Sequence, residues 1–110
     1  MNSVSLEKGF NNSKLFFSKN ELSKILSCYS LGVSRGNWKD YAINFSKNEA
    51  SFLMFKNTVG FPDCVLTKSL RNKKNKFIYK LQSNHHSKNN NFNHIDELLI
   101  ILKRKNLKII

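Results

Sequence analysis

The chain has 110 residues, 40% of them hydrophobic, and a formal charge of +12 from 19 Lys and Arg against 7 Asp and Glu. That length suits one domain with a modest core, and a hydrophobic share that includes nine Phe excludes an unfolded polyelectrolyte. No apolar run nears the roughly 18 residues needed to span a bilayer, no secretory signal opens the chain, and Cys28 and Cys64 are too few for a disulfide framework.

The expected location is therefore the cytoplasm, with both thiols reduced. Residues 1–13 are polar and aperiodic, a mobile tail ahead of a single domain over residues 14–110. Lys14-Leu15-Phe16-Phe17 is a short apolar run, either an edge strand or the lead-in to a helix. Ser18-Lys19-Asn20-Glu21 has capping-box spacing, with Phe17 and Leu22 at the staple positions on either side of the cap. Leu22, Ile25, Leu26, Tyr29 and Val33 then recur at the spacing of one helix face. Gly32 or Gly36 is the expected stop.

Tyr41, Ile43 and Phe45 alternate with Ala42 and Asn44, the pattern of a strand with one apolar face. Ser46-Lys47-Asn48-Glu49 is a short polar connection. Residues 50–56 are apolar on both sides, which predicts a central strand covered on two faces. Gly60-Phe61-Pro62-Asp63 is turn chemistry, and Cys64 to Lys68 a third strand. A basic loop follows from Arg71 to Lys76, then a fourth strand in which Phe77, Tyr79 and Leu81 share a face. The Asn-rich stretch at 83–93 reads as a polar loop. Asn93 is a candidate cap for a second helix with Ile95, Leu98, Leu99 and Leu102 on its apolar face. Asp96 and Glu97 in its first turn and Lys103, Arg104 and Lys105 in its last suit the helix dipole. Leu107 to Ile110 is a possible terminal strand.

The expected fold is α+β: an N-terminal helix, a four-stranded antiparallel meander, and a C-terminal helix, with both helices on one face of the sheet. Short connections between consecutive strands favour hairpins over crossovers.

Gly36-x-Trp38-Lys39-Asp40-Tyr41-Ala42-Ile43 resembles the signature of a family of small alphaproteobacterial proteins known only as a domain of unknown function. Ala50-x-Phe52-x-x-Phe55-Lys56, Pro62 ahead of a strand with Lys68, and Lys105-x-Leu107-x-x-Ile110 extend the resemblance from about Phe17 to the C-terminus. Lys39 stands where the family usually has Arg, and Asn44 where Asp is more usual. Asn57 replaces part of a basic pair, and the Asn-rich stretch is not family-like. The resemblance implies an alphaproteobacterial, intracellular protein and carries over no activity.

Trp38 and Tyr41 beside Lys39 have the composition of a base-stacking surface, but a lone Trp in a small domain more often anchors the core. His85, His86 and His94 match no zinc spacing. No Gly-rich phosphate loop and no Cys beside a base suggest a cofactor or a reaction. The basic candidates remain: Arg71, Lys73, Lys74 and Lys76 in the loop, and Lys103, Arg104, Lys105 and Lys108 at the helix end. Such clusters track a phosphate backbone, which makes RNA or DNA the expected partner and a nucleic-acid or ribonucleoprotein binding module the first functional reading. The alternative is a protein-interaction domain whose charge is compositional, since an AT-rich genome enriches Lys, Asn, Ile and Phe by itself.

Overall fold

The computed structural model describes residues 14–57, 60–71, 76–83 and 86–107. The tail expected at 1–13 and the last three residues of the possible terminal strand lie outside them. The elements in chain order are α1 (Lys19–Ser34), β1 (Asp40–Phe45), β2 (Glu49–Phe55), β3 (Cys64–Arg71), β4 (Lys76–Ser83), β5 (His86–Phe92) and α2 (Ile95–Leu107).

α1 begins where the capping box places it. The Ser18 hydroxyl accepts from the Glu21 N–H at 3.0 Å, and Glu21 Oε1 accepts from the Ser18 N–H at 2.8 Å. Phe17 ahead of the cap is buried and the segment before it is a lead-in, tied down where the Leu15 N–H donates to the Ser46 carbonyl at 2.8 Å. Of the two candidate stops, Gly36 is the one used. Its φ of 83° is the left-handed conformation. The Gly36 N–H donates to the Val33 carbonyl at 2.9 Å and the Asn37 N–H to the Gly32 carbonyl at 2.8 Å, the two bonds of a Schellman ending. The buried face is Ile25, Cys28, Tyr29 and Gly32, whereas Val33 is exposed. The expected stripe was one position off at its end, because a continuing i, i+3, i+4 row selects Cys28 and Gly32 as well as the larger side chains.

The strands form one antiparallel sheet in the order β1-β2-β3-β4-β5. The meander is five-stranded, not four-stranded: the Asn-rich stretch expected as a loop at 83–93 supplies β5. It pairs with β4 through Tyr79↔Phe92, Lys80↔Asn91 and Leu81↔Asn90, with a register irregularity between Leu81 and Ser83. A ladder is made by backbone N–H and C=O groups, so an edge strand needs no apolar alternation, and polar side chains on an edge oppose further pairing. The second helix starts at Ile95, two residues after Asn93.

Register determines which residues share a face. Ala50, Phe52 and Met54 of β2, Leu66 of β3 and Leu81 of β4 point inward with α1 residues Ile25, Cys28 and Tyr29 and α2 residues Ile95, Leu98 and Leu102 in one core. Both helices therefore cover the same face. Among the described residues β2 is covered on one face only, where its composition suggested two: Leu53 and Phe55 point away from the helices and are half-buried. Among the described residues, no helix covers the opposite face of the sheet.

Candidate nucleic-acid interface

The tryptophan signature turns out to build the fold. Trp38 is 7% exposed and belongs to the core. The Lys39 N–H donates to the Phe55 carbonyl at 2.8 Å, and Asp40 Oδ1 accepts from the Tyr41 N–H at 2.8 Å, so both start the β1 edge. The Tyr41 ring stacks on Phe52 with centroids 5.0 Å apart and meets the edge of Tyr29 at 5.0 Å. Trp38 is thus a core residue, while Tyr41 packs on Tyr29 and Phe52 and keeps 41% of its surface exposed.

Lys68, Glu21 and Tyr79 form a second interior group. Lys68 is 4% exposed. Its Nζ donates to Glu21 Oε1 at 2.7 Å and to the Phe16 carbonyl at 3.0 Å, and lies 4.2 Å from the Phe77 ring centroid. The Tyr79 hydroxyl donates to Glu21 Oε2. Burial by itself pushes the Glu21 carboxyl up, but hydrogen bonds from Lys68, Tyr79 and the Ser18 N–H, with the Lys68 charge, outweigh it and hold it below the usual carboxylate range. Burial and the Glu21 charge push the Tyr79 hydroxyl well above its ordinary range. The group latches the first turn of α1 to β3 and β4.

The basic candidates fall in two places. Arg71 and Lys76 face each other across the last β3–β4 pair and both are exposed. Lys103 and Arg104 lie on α2, in the helix layer behind the sheet. α1 and α2 run side by side in the same direction, since Lys24 Nζ meets Asp96 Oδ1 at 2.9 Å while Leu31 and Lys103 share a recess further along both helices. Lys73, Lys74, Lys108 and the Lys105 side chain lie outside what is described.

What Arg71 and Lys76 do join is the open sheet face. Lys80, half-buried, points outward between Thr67 on β3 and Asn91 on β5. Gln82 pairs with Val65 in the next outward row, and Ile78 with Ser69 in the one before. Among the described outward positions of β3, β4 and β5 there are three cations and no carboxylate; Asp40 and Glu49, the acids facing the same side, sit on β1 and β2. Lys80 stands outside the contiguous basic runs of the sequence. The signal was present, since Lys80 lies between Tyr79 and Leu81 in an alternating strand and must face away from the core. Phe61 was read only as part of a turn, yet it is 89% exposed.

The recesses lined by described residues include two that open to solvent. One, of about 570 Å³, lies between α1 and α2 over Leu31, Leu99 and Ile100, with Lys24, Asp96 and Lys103 on its rim. The other, of about 370 Å³, lies at the end of the open face beside Phe61. Among the described residues no group of three or more His, Cys, Asp or Glu is arranged to hold a metal ion, and no helix is long and apolar enough to cross a membrane. Cys28 and Cys64 are buried and not joined in a disulfide.

Comparison with curated proteins and with solved structures gives no match. A family model described as "Protein of unknown function (DUF2794)" matches residues 15–106.

Proposed function

The chain belongs to the DUF2794 family, and we propose that it is a non-catalytic nucleic-acid binding module that works through the open face of its sheet. The observation that carries this reading is the row of Lys80, Lys76 and Arg71 on an outward surface of β3–β5 that holds no carboxylate among its described residues. Cations on a shallow, uncovered sheet suit a phosphate backbone laid across the strands. Thr67, Gln82 and Asn91 add neutral hydrogen-bonding groups beside them. The net charge of +12 adds long-range attraction to any polyanion. A cytoplasmic location, where RNA and DNA are both accessible, goes with this role.

The test is the salt dependence of binding to a single-stranded oligonucleotide. Each cation that meets a phosphate contributes about 0.7 to the slope of log K against log salt for a single strand. Replacing Arg71, Lys76 and Lys80 with Ala should lower that slope by roughly 2. Replacing Lys103 and Arg104, behind the sheet, should leave it nearly unchanged. Equal losses from both sets would reduce the attraction to generic charge, and absence of binding at low salt would overturn the reading.

A protein-interaction role has one observation of its own. Ile100 is 53% exposed beside the recess between the helices, an apolar floor with a charged rim that fits a partner's side chain. A partner retained by the triple Ala variant and lost by Ile100→Asp would identify that role.

A further inference from the structure

The recess beside Phe61 is lined by Phe61, Pro62, Asp63, Val65, Gln82 and Ser83. At about 370 Å³ it falls within the roughly 300–1,000 Å³ of small-ligand sites. Its walls combine an aromatic ring, a proline ring and a valine with a carboxylate and an amide. We infer that it is a nucleobase site, taking one unpaired base of an RNA or DNA strand whose phosphates run along β4 past Lys80 toward Lys76. This rests on the nucleic-acid reading and deepens it.

Three observations carry it. First, Phe61 is 89% exposed, and an aromatic ring left in water gains by stacking a planar base. The turn that presents it is anchored: Gly60 adopts a φ of 109°, Asp63 Oδ2 accepts from the Lys56 N–H at 2.7 Å, and the Asp63 N–H donates to the Met54 carbonyl at 2.9 Å. The ring thus projects two residues ahead of an anchored Asp63.

Second, the lining excludes a phosphate. It contains the Asp63 carboxylate and no cation among its described residues. A carboxylate beside the ring repels a phosphate, so the group that fits against Phe61 is a neutral planar base rather than the backbone anion.

Third, the cations begin where the recess ends. Gln82 lines the recess, and along β4 from it the outward positions are Lys80, Ile78 and Lys76. At a rise of about 3.4 Å per residue, Lys80 lies roughly 7 Å and Lys76 roughly 20 Å from Gln82. A base seated against Phe61 leaves its own strand directed along that line. Affinity is thus divided between a stacking end and an electrostatic track.

The experiment compares two labelled eight-nucleotide single strands, one bearing guanine and uracil bases and one abasic throughout, titrated by fluorescence anisotropy into the full chain. The two carry the same phosphates. The base-bearing strand should bind at least about fivefold more tightly, the low end of one stacked base. Phe61→Leu should bring it down to the affinity of the abasic strand, while Phe61→Trp keeps the preference. Thermal melts of both variants check that the fold is intact, as an 89% exposed side chain leads one to expect. If wild type shows no preference, or if Phe61→Leu retains it in full, the nucleobase site is overturned while the phosphate track stands. If neither strand binds at low salt, the nucleic-acid reading falls with it.

Discussion

Lys68 Nζ lies 2.7 Å from Glu21 Oε1, joining the middle of the sheet to the first turn of α1 across 47 positions of sequence. The same carboxylate closes the capping box and accepts from the Tyr79 hydroxyl. One glutamate thus caps the start of the helix and holds it on the sheet. A lysine this deeply buried is tolerated because its donors are occupied by Glu21 and the Phe16 carbonyl and its charge rests on the Phe77 ring.

Removing one partner of such a pair strands the other. Lys68→Ala should destabilise the protein by about 3–5 kcal/mol, the range for breaking a buried ion pair from one side. Chemical denaturation of the two proteins measures it. A loss below about 1 kcal/mol would place the pair in the class of solvent-screened contacts.

The same group gives stability a defined pH window. Glu21 is held below its ordinary value of 4.5, so its contribution is complete above pH 4.5 and is lost as pH falls through the lower folded value. Tyr79 is raised above its ordinary 10.0, so its contribution is complete below pH 10.0 and is lost as pH rises beyond it. Melting temperatures should fall at both extremes. Glu21→Gln should flatten the acid limb and Tyr79→Phe the alkaline limb. An acid limb unchanged in Glu21→Gln would assign acid unfolding to other carboxylates.

Trp38 is a core residue at 7% exposure, and Trp38→Ala should cost about 3–5 kcal/mol, as for other buried large aromatics. Equilibrium unfolding followed by far-UV circular dichroism reads this directly. A variant that melts with wild type would mean that the indole contributes little packing despite its burial.

The readable features of the sequence were those made by neighbours in the chain. The Ser18–Glu21 box needs residues three apart, and the alternation of Tyr41, Ile43 and Phe45 needs only the pleat. Both stand in the structure as the sequence implies. The inward set Phe77, Tyr79 and Leu81 was legible for the same reason. β5 was not, because its pairing partner, and not its own side chains, makes 86–92 a strand. Val33 was assigned inward by spacing alone, but whether a helix flank is covered depends on what packs beside it.

By itself, then, the sequence determined the local grammar: where α1 starts and stops, which strand residues share a face, and the excess of positive charge. These follow from backbone geometry and hydrogen bonds between residues a few positions apart. Only the tertiary structure decided that both helices cover one side of the sheet and, among the described residues, leave the other without a helix. It set Lys80 beside Arg71 and Lys76 on that other face and sent Lys103 and Arg104 behind it. It also buried Lys68 against Glu21 and placed Phe61 at the end of the cation row. Charge and apolar area are additive along a chain, whereas the surface they form depends on which distant segments meet when the core closes.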